Sequence, residues 1–237
     1  MKMLDSVMTE TVALAKTIFG NEFIPLHRPV FEGNERQYLV DCIDSNFVSS
    51  VGEKVTEFEE KVAEFTGSKY AIATVNGTAA LHAAILLSGV KPGDEVISQA
   101  LTFIATCNAI NYSGADPVFV DVDEDTMGMS PEALKRFLEG HAEKKDGMCF
   151  NKSSGRRIAA CIPMHTFGLP CRIAEIADIC ADWDIALIED AAESLGSYVD
   201  DKHTGTFSSM ATLSFNGNKV ITTGGGGAIL TNNADLA

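Results

Sequence analysis

Residues 70–88 read Tyr70-Ala71-Ile72-Ala73-Thr74-Val75-Asn76-Gly77-Thr78-Ala79-Ala80-Leu81-His82-Ala83-Ala84-Ile85-Leu86-Leu87-Ser88. The first six are apolar or β-branched without strict alternation, as in a strand buried on both faces. Asn76-Gly77-Thr78 breaks the run, and the rest has the length and composition of a helix. The same unit recurs downstream. Glu95 to Ser98 reads as a strand followed by a helix over Ile104 to Tyr112, and Pro117 to Val120 as a strand before a helix capped by Ser130-Pro131. Arg157 to Pro163 precedes a helix over Ile173 to Trp183, and Ile185 to Ile188 gives another strand. Alternating strands and helices predict an α/β fold, a mainly parallel sheet with helices on both faces.

Upstream, Met1 to Phe19 predicts an amphipathic helix ended at Gly20, within an N-terminal extension of residues 1–24. Residues 25–237 then form the main domain, entered through an extended segment marked by Pro25 and Pro29. Helices are expected from Gly33-Asn34 to Asn46 and from Lys54 to Phe65, the latter closed by Gly67. His141 to Arg156 is polar and reads as an insertion loop. Val220 to Leu230 is a Gly-rich turn entering a strand, and the chain stops at Ala237 with no helix left to cover it. Either cover comes from elsewhere or the sequence is the front part of something longer.

Of the 237 residues, 33 are acidic and 18 basic, a formal net charge of −15. Nucleic acid and anionic membrane surfaces both need a positive footprint, so neither is an expected partner. The six cysteines, at 42, 107, 149, 161, 171 and 180, include no C-x-x-C pair, and several lie in apolar runs as small hydrophobes. No zinc site is signalled. Asp5 and Glu10 interrupt the most apolar part of the N-terminus, which has no signal-peptide core. Asn76, Gly77 and His82 break the later apolar stretch from Ala71 to Val90, which is too polar to span a bilayer. The expectation is a cytoplasmic, reduced protein.

The dinucleotide pattern G-x-G-x-x-G follows no strand, and the P-loop, H-E-x-x-H and G-x-S-x-G patterns are absent. A nicotinamide oxidoreductase on a similar sheet therefore lacks its motif. Four features remain. Asn76-Gly77-Thr78 opens a helix after a strand, which makes either a phosphate cradle or a simple cap. Glu189-Asp190 ends a buried strand, where ligands of open α/β sheets gather, or else caps the next segment. Lys219 stands in the turn Asn216-Gly217-Asn218-Lys219 after an apolar run; it is either a solvated charge or an amine that a close backbone presents to a carbonyl. Phe103, at a helix entrance, either stacks on a flat ring or joins the core. In combination these are the parts of a pyridoxal phosphate site: phosphate cradle, stacking ring, acid for the pyridine nitrogen and lysine for the aldehyde. Asp190 would keep the ring nitrogen protonated. Lys219 would carry the cofactor and then move the proton during transamination.

The runs Asn76 to Leu81, Leu101 to Thr106, Glu189 to Gly196 and Ser214 to Gly227 resemble the DegT/DnrJ/EryC1/StrS family, pyridoxal phosphate sugar aminotransferases of the aspartate-aminotransferase fold. The resemblance extends from Pro25 onward. Ile24-Pro25-Leu26-His27, Val48-Ser49-Ser50-Val51-Gly52 and Ser214 to Lys219 look like the aminotransferases of legionaminic-acid and related pathways. Those act on a UDP-linked 4-keto-6-deoxy-N-acetylhexosamine with glutamate as amino donor, by a ping-pong mechanism. The resemblance implies that Lys219 bonds the cofactor, Asp190 pairs with its ring nitrogen, and Glu193 lies near its phenolic oxygen. It places Phe103 on the ring and Gly77, Thr78 and Ser214 at the phosphate. His165, in Met164-His165-Thr166-Phe167-Gly168, either lines the substrate site or is a core or capping histidine. Family members that dehydrate instead of transaminating carry histidine in place of the lysine, which Lys219 argues against. The resemblance also implies a homodimer with shared active sites. Family members are considerably longer, so the chain is expected to be a large cofactor-binding domain without its small C-terminal domain. The alternative is a non-catalytic remnant that dimerises or regulates.

Overall fold

The computed structural model describes residues 2–25 and 27–237. Met1, at the head of the expected first helix, and Leu26, in the Ile24–His27 run, lie outside the described residues. The chain divides into two units, one ending at Phe31 and the other beginning at Glu32. The boundary thus falls beyond Ile24, because the exposed, extended stretch around Pro29 goes with the first unit. That unit holds α1 (Lys2–Phe19), whose Val7, Leu14 and Ile18 are exposed.

The second unit opens with α2 (Glu35–Ser45) and α3 (Glu53–Thr66). Then come β1 (Tyr70–Thr74), α4 (Gly77–Leu87), β2 (Glu95–Gln99), α5 (Ile104–Tyr112), β3 (Asp116–Val120) and α6 (Pro131–His141). A hairpin of β4 (Ala142–Lys145) and β5 (Met148–Asn151) precedes β6 (Arg157–Ile162), α7 (Ile173–Asp182) and β7 (Ala186–Asp190). A small hairpin, β8 (Tyr198–Val199) and β9 (Lys202–His203), leads to β10 (Met210–Ser214) and β11 (Gly227–Thr231).

The main sheet runs β1-β11-β10-β7-β6-β2-β3, with β5 on β6 and β4 on β5. From β10 to β3 the neighbours are parallel, whereas β11 is antiparallel to both β1 and β10. Six of the seven strands on that path therefore share one direction, and their carboxyl ends lie along one edge. Successive residues of the buried strands face opposite layers. Ile188, Met210 and Ile229 pack with Ala80, Leu81, Ala84, Ala109 and Ile110 of α4 and α5. On the other face Ile97 and Leu187 meet Leu134, Leu138, Ile173 and Ile176 of α6 and α7, and Leu213 and Leu230 meet Val62 of α3.

One expectation is corrected. The insertion loop over 141–156 is the β4–β5 hairpin, turned by Asp146-Gly147 with both residues at positive φ (53° and 73°). That dipeptide is a hairpin turn signal, and the polar flanks mask it because the strands sit on the sheet's margin. For the last strand, the alternative of cover from elsewhere in the chain is realised: β11 is buried along its length, inserted between β1 and β10 with α4 and α3 above and below.

Candidate active site

Because the strands run in one direction, the loops leaving their carboxyl ends converge. Gly77 and Thr78 follow β1, Phe103 follows β2, His165 follows β6, Asp190 and Glu193 close β7, and Ser214 and Lys219 close β10. Beyond β2 the chain moves outward to β3, whereas beyond β6 it moves the other way to β7 and β10. A crevice opens at such a switch point, and ligands of open α/β sheets bind there.

Asn76 caps α4 by accepting Ala79 N–H at 2.8 Å. The cap reading is thus realised at Asn76, while Gly77 serves close approach. A Cβ at Gly77 would stand 2.9 Å from Ser214 Cβ, and one at Gly227 would stand 2.5 Å from the Asn76 carbonyl carbon. Only glycine lets the start of β11 and the end of β10 pass so near the helix N-terminus. The N–H groups of Gly77 and Thr78 lie ahead of the first intrahelical bond, from Ala80 N–H to Asn76 O, where the helix end favours an anion.

Asp190 is buried at the end of β7. Thr106 Oγ1 donates to its Oδ2 at 2.7 Å and Ala192 N–H to its Oδ1 at 3.2 Å. Burial pushes this carboxyl above its ordinary value, opposed by the Thr106 and Ala192 hydrogen bonds and by the charge of Lys219. Lys219 Nζ lies 3.1 Å from Glu193 Oε1 and 5.8 Å from the centre of the Phe103 ring. Phe103 is 62% exposed, so it is not a core residue in this structure. Glu193 Oε2 accepts Phe167 N–H at 3.0 Å, which ties the three-residue helical turn Thr166–Gly168 to the site.

His165 needs correction as a substrate-lining residue. It is fully buried, its Nδ1 accepts Cys171 N–H at 3.3 Å, and its Nε2 faces Glu189 Oε2 at 3.2 Å. Both ring nitrogens are thus taken, with the hydrogen on Nε2. It is the core histidine that the sequence leaves open. Sequence reasoning missed Thr106, Thr102 and Gln99. The available signal for each was a polar residue where the apolar pattern calls for a buried one.

These groups fit pyridoxal phosphate: an amine, a buried carboxylate at a strand end, an exposed ring beside the amine, and a helix N-terminus where a Cβ at Gly77 would collide with Ser214. None of them lines the hollow of about 430 Å³ between the end of α3 and the β8–β9 hairpin. The profile of the DegT/DnrJ/EryC1/StrS aminotransferase family matches residues 29–237. The chain belongs to that family. Its cofactor is pyridoxal phosphate. The GDP-perosamine synthase of Escherichia coli O157:H7 is 40% identical over 215 residues, covering 91% of this chain and 55% of that protein. The GDP-perosamine synthase of Caulobacter vibrioides is 40% identical over 214 residues, covering 90% and 53%. The chain spans about half the length of these relatives. Among solved structures, the aminotransferase from Psychrobacter cryohalolentis superposes with a TM-score of 0.78 at 32% identity, over 91% of this chain and 50% of that one. GDP-4-keto-6-deoxymannose-3-dehydratase with a trapped PLP–glutamate geminal diamine gives 0.77 at 29%, over 90% and 53%. The α/β fold expected from the sequence is the fold these family members share. Among the described residues, no helix is long and apolar enough to cross a membrane.

Proposed function

We propose that the chain is the cofactor-binding part of a sugar-nucleotide aminotransferase, which moves an amino group from glutamate to the 4-keto group of a nucleotide-linked 6-deoxy sugar. The observation that carries this reading is the convergence of Lys219, Asp190, Phe103 and the Gly77–Ser214 cradle on one sheet edge. Pyridoxal phosphate, when bound, supplies an electron sink that makes the donor's α-proton removable. Lys219 Nζ would hold the cofactor aldehyde and, as a free amine, would move that proton; Glu193, 3.1 Å from it, would orient the amine. Asp190 would face the ring nitrogen as a carboxylate kept in place by Thr106 and Ala192. Phe103 would cover the ring, and Gly77, Thr78 and Ser214 would hold the phosphate.

For the acceptor, the runs at Ile24–His27, Val48–Gly52 and Ser214–Lys219 support a UDP-linked 4-keto-6-deoxy-N-acetylhexosamine of the legionaminic-acid type. A second reading, a GDP-linked sugar, is favoured by the two perosamine synthases at 40% identity. Glutamate as donor is supported by the PLP–glutamate adduct in the related dehydratase. The same proposal includes a homodimer and a cytoplasmic location, where thiols stay reduced. The test loads the chain with pyridoxal phosphate and adds glutamate. One equivalent of 2-oxoglutarate per chain is expected, followed by amine transfer to the UDP-linked keto sugar in preference to its GDP-linked counterpart. Preference for the GDP sugar would replace the first reading by the second, and absence of 2-oxoglutarate would contradict both.

A further inference from the structure

We infer that Gln99 is a positioning residue for the cofactor site, a role that rests on the reading above: its amide clamps the loop carrying Phe103 to the turn that holds Glu193, and so fixes both groups about the Lys219 amine. Gln99 ends β2 and is fully buried. Its Nε2 donates to Leu101 O at 2.9 Å and to Thr166 Oγ1 at 3.0 Å. Its Oε1 accepts Met129 N–H at 2.9 Å and Met164 N–H at 3.1 Å. Both donors and both lone pairs are used, and the orientation is forced, because two backbone N–H groups need the oxygen and a carbonyl needs the nitrogen.

The partners come from three segments that Gln99 joins at one point: the loop of Leu101, the stretch at Met129, and the run from Met164 to Thr166. Leu101 leads directly into Thr102 and Phe103. Thr166, which also donates to Met127 O at 2.9 Å, precedes Phe167, whose N–H holds Glu193 at 3.0 Å. Glu193 in turn meets Lys219 Nζ at 3.1 Å. A purely apolar side chain would satisfy the packing at this strand end, and a buried amide is costly unless bonded. What the amide adds is a buried polar link between the two loops, beside the weaker contact of Thr102 Oγ1 with Met164 Sδ at 3.5 Å.

The experiment uses cofactor-free protein, so it does not depend on the cofactor reading. Trace acetylation with acetic anhydride is followed by peptide mass spectrometry, reading Lys219 relative to Lys135, which is 63% exposed. Lys219 is only 11% exposed beside Glu193. In Gln99→Met its relative labelling should rise about 5-fold, the equivalent of one lost hydrogen bond. Thr166→Val, which removes the Gln99 link to the turn together with the bond to Met127 O, should move it in the same direction, and decides the matter if Gln99→Met fails to fold. Ser98→Ala is the control. It removes a buried bond of the same kind, from Ser98 Oγ to Ile162 O at 3.0 Å, without touching either loop, and should leave the ratio unchanged. Labelling that stays at wild-type level in the folded variants, or rises equally in Ser98→Ala, overturns the proposal. In parallel, the visible circular dichroism of added pyridoxal phosphate should change in Gln99→Met. A wild type with no visible band would count against the cofactor reading, while the labelling result still decides on Gln99.

Discussion

Thr106 gives its hydroxyl hydrogen to Asp190, so the hydroxyl of Thr102, 3.1 Å away, donates to Thr106 in turn. The direction of this short chain is fixed because an ionised carboxylate only accepts. Removing the donor leaves a buried charge short of a partner. Thr106→Val should therefore destabilise the fold by about 1–3 kcal/mol at pH 7. The penalty should shrink toward pH 4, because burial already raises the Asp190 carboxyl and its protonated form no longer needs the bond. Thr106→Ser should behave as wild type. Urea denaturation of the three proteins at both pH values checks this, and a pH-independent penalty would contradict it. Asp190 and Lys219 were legible in the sequence because each follows an apolar run that ends at a strand's carboxyl end. Thr106 was not, since a threonine on a helix's apolar stripe looks like a tolerated core residue until its partner on another element is known.

At the scale of elements, the end of β7 is bound to the loop before β10. Glu189 accepts N–H bonds from Gly205 and Phe207, each at 2.7 Å, and from Ser208 at 2.9 Å, as well as facing His165. Desolvation pushes this carboxyl up, but the His165 contact and the bonds from Gly205 and Ser208 outweigh it and leave it below its ordinary value. Its stabilising contribution is present above 4.5 and lost as pH falls through the lower folded value. Nearby, His203 in β9 accepts Gly196 N–H at 2.8 Å through Nε2, and burial lowers its pKa from 6.5. A proton on Nε2 would set donor against donor. Stability from His203 is therefore complete above pH 6.5 and lost as pH drops below it. The denaturation midpoint should fall between pH 7 and 5.5 in the wild type. His203→Gln, whose amide can accept from Gly196 N–H and donate to Thr204 O, the partner of Nδ1, without titrating, should flatten that slope, and an equal slope in both proteins would contradict the assignment. The central strands and their helices were readable because buried runs and helical stripes differ in period. The β4–β5 hairpin was not, since its strands are half exposed and only Asp146-Gly147 marks them. The cover of β11 was also hidden, because α3 and α4 precede it by more than a hundred residues in the sequence.

At the scale of the molecule, one sheet direction gathers residues 77 to 219 on a single edge, and the function rests on that gathering rather than on any one motif. The central claim is that Lys219 on this edge takes up pyridoxal phosphate. The most direct test is the visible absorption spectrum of the chain with added pyridoxal phosphate, followed by borohydride and peptide mass spectrometry, beside Lys219→Ala. The wild type should develop a band that borohydride fixes as a cofactor-sized mass increase on the Lys219 peptide, and the band should be absent from the variant. A wild type without the band, or a mass increase on some other lysine, would contradict the account.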